Sequence, residues 1–526
     1  MNIVSLFYLA FVAVVALVYF ITPRRFRWVT LLIASLVNYL SYDLKLSVWL
    51  FVTSISIYAG GLMIDRQEKK YAAQLEAQPG IDRAEKRALK KQNERIKRGY
   101  AALVAAVNIA IWVVFKFADL FILTLNKYFA TGCDLWRLVL PLGISFYTLQ
   151  AVSYVVDLSR GKCEVQRNYL KLLLWLCFFP QMLQGPICRY REAAPQLYEP
   201  HDFDYRRVKF GMQRMLWGYF KKLVIADRVV SISNNVFGNS ANYQGLVFAI
   251  GALAYTIQIY ADFSGGMDII SGAAEIVGVN MPVNFERPYF SRSISEYWRR
   301  WHVTLGAWFR DYVFYPLSIS KGAQKLTAAC RKRLGPNLAK MIPTYLAMVL
   351  VWILNGIWHG AGWQFVVFGM YQGVLIVLGM QFEPVFDWII RKLKIRTDCF
   401  SWRLWQRLRT LVLIIGGRII FKASGLYEAM RIGWSILKVH NLWIFTDGTV
   451  FTLGLDAWEL FVLFVAVLVL LTVSILQERG VRIRETIERQ NLVFRWALYL
   501  AAIATVVMLG VYGPSYDAAG FVYAGF

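Results

Sequence analysis

Charge is scarce in this chain: only 17% of its 526 residues are Asp, Glu, Lys or Arg, while 58% are hydrophobic. That balance excludes a disordered or collagen-like chain and a coiled coil. Cysteine is sparse as well. The six cysteines (133, 163, 177, 188, 330, 399) form no CxxC pair and no dense framework, which excludes a small disulfide scaffold and leaves them as reduced, inert thiols. Histidine occurs only four times. The sequence has no GxSxG elbow, Walker loop, HExxH or dinucleotide fingerprint, so a serine hydrolase, an ATPase, a zinc protease and a Rossmann enzyme find no support. No internal repeat or low-complexity tract is visible.

What is abundant is long apolar sequence. Mean hydropathy is +0.45, and apolar runs of about 18–25 residues recur, the length of a helix that crosses a bilayer. The chain therefore reads as an all-α polytopic membrane protein. The net charge of +25 is assigned to cytoplasmic loops and anionic lipid headgroups, with no nucleic-acid partner. The first run, 1–21, has no basic leader and no cleavage pattern, so a signal peptide is not expected. The segment 65–99 carries eleven Lys/Arg against six Asp/Glu, and its alternating signs predict a solvated cytoplasmic helix pair. The stretch 169–185 is basic on both flanks and holds Pro180, Gln184 and Gly185. It is expected to enter the membrane and return, since irregular backbone at depth is tolerated only inside protein. Residues 321–340 contain six basic and no acidic residues and mark another inner loop. About ten or eleven spans in a single domain, 1–526, are expected, with the charged loop 65–99, a motif-rich core 140–380 and C-terminal helices 400–526.

Two histidines stand out as chemistry. His359 lies in Asn355-Gly356-Ile357-Trp358-His359-Gly360, about 18 residues past Lys340. At 1.5 Å per residue that is about 27 Å of helix, deep in or near the far side of the membrane. An ionisable group at that depth is a functional candidate, and imidazole suits general-base work near neutrality. The competing reading is a core histidine that ties two helices together. His302 follows Trp298, Arg299, Arg300 and Trp301, with Arg310 and Asp311 close behind. An interfacial aromatic and basic belt explains the tryptophans and arginines better than it explains the histidine. His201 and His440 read as surface residues. Within the apolar run 246–279, Asp262, Ser264 and Asp268 are costly unless they line a cavity or hold other polar groups. A substrate contact and an ion pair with a nearby arginine both stand open for them. Lys221 and Lys222 fit snorkelling side chains. No metal site is expected, because His359 has no second ligand at i+3 or i+4.

In order along the chain stand Tyr260-Ala261-Asp262-Phe263-Ser264-Gly265-Gly266-Met267-Asp268, then Asn284-Phe285-Glu286-Arg287-Pro288-Tyr289. Glu296-Tyr297-Trp298-Arg299-Arg300-Trp301-His302, Arg310-Asp311-Tyr312 and Asn355 to Gly360 follow. This series resembles the membrane-bound O-acyltransferase family, in its bacterial alginate O-acetyltransferase-like branch. The runs 140–147 and 179–189 and the aromatic ending 519–526 support it. The run 416–421 departs from the branch's usual aromatic-rich wording, as does Gly362 where Ser is common. The resemblance implies a helical fold around a membrane-crossing channel, with re-entrant and interfacial helices. It implies a catalytic role for His359 and His302. Asn355, Asp262, Ser264, Asp268, Trp298, Arg299, Arg300, Arg310, Asp311, Trp358 and Gln184 are then candidates for substrate binding or channel lining.

It further implies no tightly bound cofactor. The donor substrate would be acetyl-CoA or another acyl thioester from the cytoplasm. The acceptor would be a cell-surface polysaccharide such as alginate, reached with an extracytoplasmic acetyltransferase partner. The setting would be a bacterial inner membrane. Asn355 or His302 is expected to donate to the oxyanion. The rival readings are D-alanyl transfer to teichoic acid from a carrier-protein thioester, and a non-enzymatic polysaccharide channel or scaffold.

Overall fold

The computed structural model describes residues 2–182 and 185–512, apart from the side chains at 332, 334, 337 and 338. Within them the chain is helical, and one isolated antiparallel bridge, Phe285 with Trp301, is the only strand-like pairing among the described residues. Gln184 and the ending 519–526 lie outside the described residues. The chain divides into two compact units, one of residues 1–212 and 270–282 and the other of 213–269 and 283–526.

The first unit opens with α1 (Leu6–Ile21), α2 (Arg27–Leu40), α3 (Val48–Glu76) and α4 (Arg83–Phe129). Helices α3 and α4 run past their apolar portions into the charged segment, which is the helix pair expected from its charge pattern. There Glu68 takes the Lys97 ammonium and the Asn93 amide, and Asp65 takes Arg167 at 3.3 Å. Helices α5 (Ile144–Ser159), α6 (Tyr169–Cys177) and α7 (Tyr190–Tyr198) follow. Helix α6 stops after nine residues, before Pro180, and the chain from Phe178 to Met182 is irregular and buried. Its backbone finds partners inside protein: the Phe179 N–H donates to Ser35 Oγ at 3.1 Å. That is the condition under which a re-entrant segment is tolerated. His201, expected at the surface, is half-buried: its Nε2 lies 2.7 Å from the Gln196 carbonyl, and its ring fills the space over Gly278.

Helix α8 (Tyr205–Tyr219) leads into a π-helical turn, Phe220–Ala226, and α9 (Asp227–Gly238). Helix α10 (Leu246–Ile276) follows. Then come the short α11 (Ile294–Arg300), α12 (Val303–Phe309) and α13 (Tyr315–Ser318), and the long α14 (Lys321–His359). Helix α14 is broken at Gly335, where φ is +76°. Helices α15 (Trp363–Gln381), α16 (Glu383–Lys392), α17 (Phe400–Lys422), α18 (Leu426–Lys438), α19 (Ala457–Glu478), α20 (Ile483–Glu488) and α21 (Leu492–Leu509) complete the chain.

Seven of the described helices are long and apolar enough to cross a membrane: α3, α4, α10, the Ala339–His359 part of α14, α15, α19 and α21. The charge-based reading expected about ten or eleven. The difference lies in runs that the fold shortens or interrupts. Helix α2 has 14 residues and α5 has 16, each less than the roughly 20 needed. The run from α8 to α9 is interrupted by the π-turn with its two lysines. Helix α17 carries Arg403, Arg407, Arg409 and Arg418. The protein is a multi-pass membrane protein on these helices.

Candidate functional site

The second unit contains two buried polar clusters. The first is built on α10 and the π-turn. Helices α8 and α10 cross at backbone contact there, since a Cβ on Gly218 would lie 2.6 Å from the Gly265 carbonyl oxygen. This close crossing brings both lysines of the π-turn onto α10. Lys222 Nζ sits 2.7 Å from Asp227 and 2.7 Å from Asp262. Lys221 Nζ donates to Ser264 Oγ at 3.0 Å and to Asp268 at 2.7 Å, and Arg214 closes on Asp268 at 3.0 Å. So Asp262, Ser264 and Asp268 are engaged with basic groups of the neighbouring helix. Lys221 and Lys222 are almost wholly buried. Charges this deep are stable only when paired.

The second cluster holds both histidines. His359 is the last residue of α14 and is almost fully buried. Helices α14 and α15 meet at backbone contact: a Cβ on Gly356 would strike the Phe365 carbonyl, and one on Gly369 the Trp352 carbonyl. That crossing stacks aromatic rings around His359. Its ring centroid is 5.1 Å from Trp358, 6.1 Å from Phe368 and 5.3 Å from Phe421, all edge-to-face. Asn355 lies one turn earlier on the same face and is buried, and its Oδ1 has no hydrogen-bond partner among the described residues.

His302 is also buried against Trp358, with ring centroids 6.1 Å apart. Both imidazoles therefore meet a single indole, a juxtaposition that sequence spacing does not reveal. His302 sits between α11 and α12 with φ +47° and ψ +52°. A left-handed conformation in a residue other than glycine costs about 1–2 kcal/mol, so the surroundings must hold it. The Phe285–Trp301 bridge, the Glu286 N–H on the Arg300 carbonyl (2.9 Å) and the Val303 N–H on the Asn284 carbonyl (3.0 Å) do so. This pairing also brings the Asn284 side chain to His302: Oδ1 lies 3.1 Å from Nδ1. Phe263 covers the ring at 4.9 Å. His302 lies outside the seven apolar spans. Burial pushes its imidazole down to about 3, so the ring is neutral at ordinary pH.

The remaining candidates divide by environment. Trp298 Nε1 donates to Gln372 Oε1 at 3.1 Å, and its ring meets Trp352 at 4.6 Å, joining α11 to α14 and α15. Arg300 is clamped by Glu296 at 2.8 Å and Glu478 at 3.0 Å, and Arg287 shares Glu478 at 2.7 Å. Arg299 is exposed. Arg310 is exposed and pairs with Asp311 at 2.9 Å, which holds it fully protonated. Three contributors escaped sequence reasoning. Asn284 was visible only as part of a motif. Gln372 carried no signal. Arg418 is the single charge in the apolar run 411–421, and that was the signal available. Its guanidinium is buried, donates to Tyr297 Oη at 2.9 Å and lies 4.5 Å over Trp301. The unusual stretch 416–421 is thus part of this aromatic wall, through Arg418 and Phe421.

A desolvated, aromatic-walled space with two histidines and a buried amide can move protons and stabilise developing charge. No group of three or more His, Cys, Asp or Glu among the described residues could hold a metal ion.

Residues 164–329 match the family model of the membrane-bound O-acyltransferases. A protein of Azotobacter vinelandii described as a probable alginate O-acetylase is 29% identical over 434 residues, 82% of this chain and 76% of its own length. The peptidoglycan O-acetyltransferase of Helicobacter pylori is 29% identical over 54% of this chain and 56% of its own length. The teichoic acid D-alanyltransferase of Bacillus subtilis is 28% identical over 47% of this chain and 60% of its own length. The chain is an acyltransferase by this kinship.

Proposed function

We propose that this protein takes an acetyl group from a cytoplasmic thioester, acetyl-CoA, and passes it across the inner membrane for O-acetylation of a cell-surface polysaccharide. The observation that carries the reading is the packing of both His302 and His359 against Trp358 in a buried aromatic wall. In the proposed reaction His359 accepts the proton of an acceptor hydroxyl as that oxygen attacks the thioester carbonyl. The new C–O bond forms, the C–S bond breaks, and the thiolate leaves and is reprotonated. Such general-base help is worth roughly 10²–10⁴ in rate. The oxyanion receives its hydrogen bond from the Asn355 amide. The exposed Arg299 and Arg310 are assigned to phosphates of the donor or to lipid headgroups. The final acceptor is reached through an extracytoplasmic acetyltransferase partner.

Acetyl is favoured over D-alanyl by the extent of kinship. The similarity to the alginate O-acetylase runs over 82% of the chain, against 47% for the teichoic acid D-alanyltransferase. The test uses purified protein in nanodiscs with radiolabelled acetyl-CoA. Wild type is expected to release label to an acceptor and His359→Ala to release none while remaining folded. Turnover only with a carrier-protein D-alanyl thioester would establish the rival acyl group. Unchanged transfer by His359→Ala would remove the mechanism.

A further inference from the structure

Asn284 makes contacts that determine where the proton of His302 resides. Its Oδ1 lies 3.2 Å from the Thr304 backbone nitrogen, 2.9 Å from Thr304 Oγ1 and 3.1 Å from His302 Nδ1. A backbone N–H can only donate, so the atom facing it is the amide oxygen and not the amide nitrogen. The Nδ2 group is turned the other way, to Met267 Sδ at 3.4 Å, a weak acceptor that a thioether can provide. The amide orientation is therefore set by the chemistry of its partners. An amide oxygen has no hydrogen to give, so the hydrogen between it and His302 belongs to Nδ1. In the neutral ring the lone pair is then at Nε2.

We propose that Asn284 is a positioning residue that locks His302 in the Nδ1–H tautomer, so that His302 offers acyl transfer a hydrogen-bond acceptor at Nε2 and not a hydrogen-bond donor. The inference rests on the acyl-transfer reading above for its catalytic consequence, but not for the tautomer itself. The ring stays neutral while the acceptor hydroxyl's proton passes to His359, and its Nδ1–H stays on the Asn284 oxygen throughout. The oxyanion's hydrogen bond then cannot come from neutral His302, and falls to Asn355. The fold supplies the lock twice over. The Phe285–Trp301 bridge sets the two backbones side by side, and the Thr304 N–H, in the first turn of α12, fixes the amide.

The test uses the full chain in nanodiscs with ¹⁵N-histidine, which labels only four rings. The His302 resonances are those lost in His302→Gln. Wild type is expected to show a neutral ring protonated at Nδ1 at pH 7. Asn284→Asp, whose carboxylate accepts the same hydrogens, keeps Nδ1–H. Asn284→Leu releases the ring to Nε2–H or a mixture, with kcat for acetyl transfer falling about 10²–10⁴-fold, the scale seen when a catalytic histidine takes the wrong tautomer. Its KM for acetyl-CoA stays within about twofold. A wild-type ring protonated at Nε2, an Asn284→Asp ring that switches to Nε2–H, or an Asn284→Leu ring still wholly Nδ1–H would each overturn the assignment. If Asn284→Leu does not fold, the wild-type and Asn284→Asp spectra decide it. Absence of transfer from every thioester defeats the proposed function, while the spectra still report the tautomer, so the two failures are distinct.

Discussion

The two buried polar clusters of the second unit lie in opposite surroundings. On α10 and the π-turn, Asp262, Asp268 and Ser264 are met by Lys222, Lys221 and Arg214 within 3.0 Å. Around His302 and His359 the walls are rings: Phe263, Trp358, Phe368 and Phe421. Ion pairing spends the charges of the first cluster on holding helices together. The second cluster sets its imidazoles against aromatic rings and amides instead of ion pairs. Depth and rarity mark both clusters equally; the partners of each side chain separate structure from chemistry.

Substitutions can break this contrast. The largest effect belongs to His359→Ala, expected to lower acetyl transfer by about 10²–10⁴-fold with thermal stability near wild type, read by radiolabel turnover and a melt on one preparation. A melt transition lowered as far as that of Lys222→Met would instead make His359 a structural residue. Lys222→Met should do the reverse. It leaves Asp227 and Asp262 buried without the ammonium between them, a loss of about 3–5 kcal/mol of stability. Unfolding by heat or denaturant in detergent would show it, and near-wild-type stability would refute the structural role of this cluster.

Protonation offers a finer probe. His302 is held down to about 3 by burial, against about 6.5 in the unfolded chain. Its folded value is depressed, so its contribution to stability is whole above about pH 6.5 and is lost as pH falls toward 3. The loss approaches 1.4 kcal/mol per pH unit below the unfolded value. His302→Gln should flatten that part of the stability curve between pH 6.5 and 5, and an unchanged slope would contradict the burial assigned to the ring. Arg418→Met removes the bond to Tyr297 and the stack on Trp301 and should cost about 1–3 kcal/mol. It should also reduce turnover by loosening the wall that carries Phe421. The smallest effect is Arg299→Gln. This exposed side chain should change stability by less than about 0.5 kcal/mol, and any change in KM for acetyl-CoA would separate a donor contact from a lipid contact.

Much of this site was legible before folding, and for identifiable reasons. His359 was conspicuous because an ionisable residue at the end of a long apolar run, far from the basic stretch 321–340, needs explaining. His302 was conspicuous because an interfacial belt accounts for Trp and Arg but not for imidazole. The charged segment 65–99 announced its helix pair through alternating sign. Asn284 was not legible as a partner of His302, since a polar residue in a loop has many uses and the 18 positions between them follow no helical period. Arg418 is readable as a lone charge in an apolar run, but its partner Tyr297 lies 121 positions away, where no pattern links the two. A π-turn and a 14-residue helix were not visible to hydropathy, which reads composition and not hydrogen-bond pattern.

What the amino-acid sequence determined by itself is the set of properties that depend on local composition. These are the apolar helices and the charged helix pair, because burying apolar surface and excluding charge from lipid act residue by residue along the chain. Only the tertiary structure decided which polar groups meet. It assigned Asp262 to Lys222, His302 to Asn284, and both histidines to one indole. Those choices depend on helix crossings at Gly218 and Gly356 and on a left-handed turn at residue 302, and such contacts join residues far apart in sequence, where no periodicity links them.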